Sequence, residues 1–330
     1  VQHVWRSRRT ACAHAGDGGA DAVLPGSGLG RQRDQACRRH DRGLDRPPRP
    51  DRQLRPAGDA GSGRDSRGLS RGRDSGPGSA PGSPLSDLHF IDRGEGPPVL
   101  LIHGTGTDSS VFDEPVGALA GSWRLITPDR RGWGQSVPVD EYRRTSIAEQ
   151  AIEIGALVRE LDLDRVTAVG IGLGAVVALE MALADPDLID RAFLIEPPVF
   201  AALKEATEGM SADVEAIRSA AAEGGEGAAY ELFLSGALHT LGAGAERFGD
   251  VADRGPAAAR SFLIEVPAVP AWPLDPLRLA SLEADVTVVT LPSTPALLKR
   301  AAEAIFERVP GAESVHSNRD GAGAVTTLLG

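Results

Sequence analysis

Cysteine is almost absent from this sequence. Among its 330 residues only Cys12 and Cys37 are cysteines, so nothing after residue 37 has a thiol. This absence argues against disulfides, cysteine-ligated metals and a cysteine nucleophile in the rest of the chain. The sequence also lacks an apolar run of about eighteen residues, the length that a membrane-spanning helix needs. We therefore expect no membrane span and no membrane partner.

The first 84 residues lack isoleucine, phenylalanine, tyrosine, methionine, lysine and glutamate altogether. Sixteen arginines against nine aspartates give this segment a net charge of +7, whereas the remainder carries −18. So few large apolar side chains cannot offset the entropy of ordering the backbone, and we expect residues 1–84 to be disordered. A basic tail can bind nucleic acid, but Trp5 is its only aromatic residue. We therefore do not expect a nucleic-acid partner.

A glycine-dense turn between a predicted strand and a predicted helix dominates the remaining sequence. Residues 165–184 read RVTAVGIGLGAVVALEMALA, with glycines at Gly170, Gly172 and Gly174. A G-x-X-x-G spacing between strand and helix is typical of a nucleophile elbow, in which the middle residue carries the attacking side chain. Here the middle residue is Gly172, so the turn has no nucleophile. A glycine-rich loop of another open α/β sheet, such as a nucleotide-binding one, would give the same local pattern.

Apolar runs alternate with helical patterns along the chain from Leu88. The runs Val99 to Ile102, Leu125 to Thr127 and Phe193 to Ile195 predict buried strands. A helix is predicted from Ser146, which has capping-box spacing to a glutamate three residues later. This alternation predicts an α/β fold with a mostly parallel sheet and helices on both faces.

Four motifs follow one another at ordinary spacings and together resemble the α/β-hydrolase superfamily. They are PPVLLIHGTG at 97–106, PDRRGWGQS at 128–136, VGIGLG at 169–174 and FLIEPP at 193–198. The resemblance covers residues 85–330, more loosely in the second half, and implies an α/β-hydrolase fold with a helical cap formed by residues 199–275.

The ends of this region depart from the family pattern. The arginine-rich segment stands where a first strand would lie, and only six residues follow Ala324, which is short for the final helix of the fold. We therefore expect a domain trimmed at both ends. Apolar surface left uncovered in this way predicts marginal solubility or a homodimer.

The resemblance also implies where the catalytic groups would stand. The oxyanion hole would use the N–H groups of Thr105 and Leu173. Positions of the nucleophile, acid and base are occupied by Gly172, Ser293 and Ala324. Glu196 follows the sixth strand, where some members of the family place the acid, although a glutamate that binds loop amides is an equal alternative. The remaining motif residues are His103, with an expected structural role, Gly104, Gly106, Gly170 and Gly174.

These positions predict a degenerate hydrolase, derived from an enzyme that acts on an ester, a lactone or a similar small molecule. With no nucleophile and no base, triad hydrolysis is not expected. The resemblance implies a cytoplasmic protein with no cofactor and no metal, and with a small-molecule ligand in a capped pocket. Two alternatives remain: a binding or scaffold protein that uses this pocket, and a non-hydrolytic lyase or cyclase with proton transfer by Asp108, Glu196 or Thr105.

Overall fold

The computed structural model describes residues 3–5, 88–136, 142–235, 237–238, 240, 255–273 and 275–330. Its central feature is one sheet of eight strands. The strands are β1 (His3–Trp5), β2 (Phe90–Arg93), β3 (Pro98–Ile102), β4 (Arg124–Pro128), β5 (Val166–Ile171), β6 (Ile189–Ile195), β7 (Asp285–Thr290) and β8 (Glu313–His316). β-Branched and apolar residues dominate the central strands, which are buried on both faces.

The sheet is mostly parallel, as the alternating sequence pattern predicts. Its strand order is β1-β8-β7-β6-β5-β3-β4-β2. The outer strands β1 and β2 run antiparallel to their neighbours, and every pair between them is parallel. Residues 3–5, which were expected to be disordered, form β1 instead and pair with β8. The rest of the segment 1–84 lies outside the described residues, so its disorder stays a prediction.

Helices cover both faces of the sheet. They are α1 (Asp113–Leu119), α2 (Ile147–Glu160), α3 (Leu173–Ala184), α4 (Lys204–Leu234), α5 (Gly255–Glu265), α6 (Ala268–Ala271), α7 (Pro276–Ala280), α8 (Ala296–Arg308) and α9 (Gly323–Leu329). Along β3, Leu100 and Ile102 join the apolar cluster that contains α2, α3 and α8, whereas Val99 and Leu101 join the cluster of α1 and α9. This alternation follows from the two-residue period of a strand.

Helix α9 corrects the expectation that the chain is too short for a final helix after Ala324. Seven residues, Gly323–Leu329, form one. Ala324 and Val325 are fully buried against the same apolar cluster as α1, and the indole N–H of Trp123 donates to the carbonyl oxygen of Leu329 at 3.1 Å. Packing of these apolar side chains stabilises a helix that would be marginal by its length alone.

Residues 199–275 leave the sheet between β6 and β7, and we call this segment the insertion. It contains α4, α5 and α6, and α4 is interrupted at Gly225, whose φ of 81° lies outside helical values. Apolar side chains of α4 and α5 pack around Trp133 from the loop after β4. Within the described part of the chain, no helix combines the length and hydropathy that a membrane crossing requires.

Candidate functional site

The corner between β5 and α3 has the geometry of a nucleophile elbow with glycine at its centre. Gly172 adopts φ 55° and ψ −122°, between the last residue of β5 and the first residue of α3. Its N–H donates to the carbonyl oxygen of Ile195 at 2.9 Å, which ties the corner to the end of β6. An L-residue is strained at this φ, and glycine adopts it without a Cβ clash. The tight corner predicted from the sequence is present.

The three glycines of the corner have different steric surroundings. A Cβ on Gly170 would lie 2.3 Å from the carbonyl oxygen of Gly174, and a Cβ on Gly174 would lie 2.2 Å from that of Ile102. A Cβ on Gly172 would meet only the Cα of Gly104, at 3.9 Å. The strand and the helix therefore approach too closely for side chains at the flanking positions, whereas the central position has room for one.

The loop after β3 lies directly against this corner. A Cβ on Gly104 would stand 3.1 Å from the carbonyl oxygen of Ile171, so the backbones of the two segments are adjacent. Leu173 begins α3, and the N–H groups of a first helical turn have no acceptor within their helix. The structure thus brings the segment of Thr105 and the start of α3 together, while the role of their N–H groups as oxyanion donors stays a prediction.

His103 is completely buried, and its hydrogen bonds hold two loops in place. Its Nε2 accepts the backbone N–H of Arg130 at 2.9 Å, so the proton is on Nδ1, which lies 2.9 Å from the carbonyl oxygen of Gly104. The hydroxyl of Thr107 donates to the same oxygen at 3.0 Å. These contacts give His103 a structural role in the loop that precedes Thr105.

The positions of acid and base contain no histidine partner for a nucleophile. Ala324 lies inside α9 with no exposed surface. The exposed Ser293 donates its backbone N–H to Asp320 at 3.1 Å and also donates its hydroxyl to that carboxylate, a contact that the sequence analysis missed. Among the described histidine side chains, His316 is exposed at the end of β8 beside Thr290. The remaining two are the structural His103 and His89, which contacts Asp129 at 2.9 Å.

Glu196 is a buried carboxylate next to Ile195, whose carbonyl oxygen accepts the N–H of Gly172. It follows β6 directly, has only 1% of its surface exposed and adopts a φ of 49°, a value that side-chain-bearing residues seldom take. The hydroxyl of Thr294 donates to its Oε1 and accepts the N–H of Leu291 at 2.6 Å. Asp108, another candidate for proton transfer, instead caps a short 3-10 helix by accepting the N–H of Ser110 at 3.0 Å.

A buried ion pair beside this site was missed by the sequence analysis. Arg130, from the loop after β4, pairs with Glu265 at the end of α5, and both side chains are fully buried. The repeated arginine of the PDRRGWGQS motif was visible, but its partner lies 135 residues later and no local pattern indicates it. In the described residues no group of three or more histidine, cysteine, aspartate or glutamate side chains could hold a metal ion.

Comparison with known proteins identifies the family. The model of the alpha/beta hydrolase family matches residues 99–321. The chain belongs to this family. Among solved structures, a hydrolase from Pseudomonas aeruginosa superimposes with a TM-score of 0.57 at 22% identity. The superposition covers 74% of this chain and 94% of the Pseudomonas chain. A thermophilic esterase from Thermogutta terrifontis gives 0.57 at 21% identity, with 73% and 91% covered. At these identities the likeness establishes the fold.

Sequence relatives match a shorter part of the chain. An uncharacterised protein of Mycobacterium tuberculosis is 41% identical over 107 residues, which is 32% of this chain and 30% of that protein. Haloalkane dehalogenase 2 of the same organism is 33% identical over 102 residues, or 31% and 35% of the two chains. The matches therefore span about a third of the length of these relatives.

Proposed function

We propose that this alpha/beta hydrolase has lost triad hydrolysis and uses its site to bind a small molecule with a carboxylate or carbonyl group. One observation carries the proposal: Gly172 keeps the elbow conformation but has no side chain. A catalytic triad needs a nucleophile, a base within hydrogen-bond reach and an acid that orients the base. Removal of one member of such a triad already lowers the rate by several powers of ten.

Binding needs less than hydrolysis does. Two backbone N–H groups, those of Thr105 and Leu173, would donate to an oxygen of the ligand, as they would to an oxyanion in an active relative. The empty space above Gly172, where a Cβ would meet its nearest neighbour only at 3.9 Å, leaves room for that oxygen. In this proposal the insertion acts as a cap over the ligand, and its packing around Trp133 supports that arrangement.

Acylation of a cysteine placed at the elbow tests both halves of this proposal. A thiolate is nucleophilic without a neighbouring base, so Gly172→Cys should be acylated by p-nitrophenyl acetate and release one equivalent of p-nitrophenol in a fast phase that the unmodified chain lacks. The unmodified chain, which keeps Cys12 and Cys37, is the matched control. We expect the introduced thiol to react about tenfold or more faster than these two thiols because the backbone donors stabilise the tetrahedral intermediate. Peptide mass spectrometry locates the acetyl group.

Two results would contradict the proposal in different ways. Steady turnover of p-nitrophenyl acetate by the unmodified chain would overturn the loss of hydrolysis. Acylation at position 172 no faster than at Cys12 and Cys37 would mean that the N–H groups of Thr105 and Leu173 are not placed to bind an oxygen. A competing carboxylate, phenylacetate, should slow the acylation if it occupies the same donors.

One observation favours a second candidate, a proton-transfer enzyme. Glu196 is a buried carboxylate held in a strained backbone conformation, and strain of this kind is concentrated at functional sites. With backbone donors on the carbonyl oxygen, such a carboxylate would remove a proton from the adjacent carbon. Uptake of deuterium from heavy water at that carbon of ethyl acetoacetate, followed by NMR, should then be faster with the protein than without it. Glu196→Gln should return the rate to that of the uncatalysed exchange.

A further inference from the structure

We infer that Glu265 of the insertion positions the loop of Gly104 and Thr105, and that Arg130 transmits this effect. The inference rests on the proposed function only in its last step, the binding of a ligand by that loop. Glu265 is the final residue of α5, and Arg130 lies in the loop after β4, so the pair joins the insertion to the sheet domain.

Arg130 holds the neighbouring loop at two points. Its backbone N–H donates to His103 Nε2, and its side-chain Nε donates to the carbonyl oxygen of His103, both at 2.9 Å. Gly104 and Thr105 follow immediately in the chain. A shift of Arg130 would therefore move both the ring and the peptide of His103, and with them the N–H that would face a ligand.

Glu265 in turn fixes the guanidinium group. Its Oε1 accepts from Nη1 of Arg130, and its Oε2 accepts from Nη2 at 3.4 Å. The side-chain oxygen of Gln150, in α2, also accepts from Nη1, at 2.7 Å. Gln150 also donates to Glu265 at 3.4 Å. The planar fork of arginine suits this arrangement, whereas a lysine ammonium cannot reach Glu265 and the His103 carbonyl with the same geometry.

Full burial makes this arrangement sensitive to small changes. Neither side chain of the pair is exposed, so water cannot replace a lost hydrogen bond. A second contact, in which the hydroxyl of Ser261 donates to the carbonyl oxygen of Gly132, attaches α5 to the same loop. The position of the insertion and that of the Thr105 loop are consequently coupled through Arg130.

Hydrogen exchange on the full chain tests this coupling without any ligand. We expect Arg130→Lys, which keeps the opposite charges but not the fork, and Glu265→Gln, which keeps the size but not the charge, to speed amide exchange in residues 103–107 by about tenfold. The matched control is Glu180→Gln. Glu180 is also buried and accepts from the fork of Arg278 and from Trp272, but it has no contact with His103.

The outcomes separate a positioning role from a merely structural one. Faster exchange in residues 103–107 in both test variants, beyond that in Glu180→Gln, supports the inference. Equal effects in all three variants, or a uniform increase along the chain, would overturn it. If Glu265→Gln does not fold, Glu265→Asp takes its place, because it keeps the charge and shortens the reach to Arg130 without touching the bond from Arg130 to His103.

Affinity for phenylacetate, measured by calorimetry, separates this inference from the proposed function. The dissociation constant should rise in Arg130→Lys and Glu265→Gln and stay unchanged in Glu180→Gln. A rise of the same size in Glu180→Gln would contradict specific coupling. Absence of binding by the unmodified chain would reject the proposed ligand, while the exchange result would still decide whether Glu265 positions the loop.

Discussion

Gly170 and Gly174 approach so closely that a single methyl group on Gly170 would lie 2.3 Å from the Gly174 carbonyl oxygen. The obstacle is backbone and cannot rotate away. We expect Gly170→Ala and Gly174→Ala to lower the free energy of unfolding by more than about 3 kcal/mol, beyond an ordinary overpacked core. Gly172→Ala, with space for its methyl group, should lose only about 1–3 kcal/mol through its strained φ.

Denaturant unfolding of the three alanine variants measures this difference. Similar losses of unfolding free energy in all three variants would show that backbone strain, and not contact with neighbouring backbone atoms, determines the cost of a side chain in this corner. A loss at Gly172 larger than at the flanking positions would contradict the geometry on which the cysteine experiment at that position depends.

The tautomer of His103 follows from its neighbours. Because the N–H of Arg130 points at Nε2, the ring proton must be on Nδ1. Nitrogen chemical shifts of the histidine ring, read by NMR on labelled protein, should show a neutral ring protonated at Nδ1. A ring protonated at Nε2 would be incompatible with the contact to Arg130 and would remove one of the two points at which Arg130 holds the loop.

Tyr142 should give the protein a distinct stability loss at high pH. Burial and the charge of Glu265 raise its pKa to about 12; Glu153 adds to this rise, and Thr145 and Arg130 oppose it. In the unfolded chain the phenol of Tyr142 has its ordinary pKa of about 10, so it loses its proton at a lower pH there than in the folded protein. The contribution of Tyr142 to the free energy of unfolding is therefore fully present below about pH 10. It is lost between about pH 10 and 12, which lowers the free energy of unfolding by roughly 2–3 kcal/mol.

The control for this prediction is Tyr142→Phe, which should show a smaller loss of stability over the same pH range. The ultraviolet titration of tyrosinate gives an independent measure, since Tyr142 and Tyr230 are the only tyrosines. In Glu265→Gln, removal of the carboxylate charge should lower the pKa of Tyr142. An unchanged titration in that variant would contradict the proximity of the two groups.

Local patterns are enough to predict the sheet and its central corner. The spacing of Gly170, Gly172 and Gly174 predicts a strand, a tight turn and a helix, because the turn and the close approach of strand and helix require glycine at these fixed positions. The pair of Arg130 and Glu265 could not be predicted, since its members are 135 residues apart and meet only through the packing of the insertion.

The end of the chain shows the same limit in another form. The number of residues after Ala324 suggests too little length for a helix, but length alone does not decide helix formation. Burial of Ala324 and Val325 in an existing apolar cluster supplies stability that the isolated segment lacks. Such burial depends on α1, more than 200 residues earlier, and is not visible in the local sequence.

Deleting residues 323–330 should expose part of the apolar cluster that α9 shares with α1. We expect this deletion to increase binding of a hydrophobic dye and to promote self-association, measured by sedimentation at several concentrations. Trp123→Phe is the control, because it removes the hydrogen bond to Leu329 and part of one packed ring but leaves α9 over the cluster. A homodimer of the unmodified chain that persists in both variants would mean that its interface lies elsewhere. Self-association confined to the deletion variant would show that α9 covers an apolar surface that otherwise joins two copies.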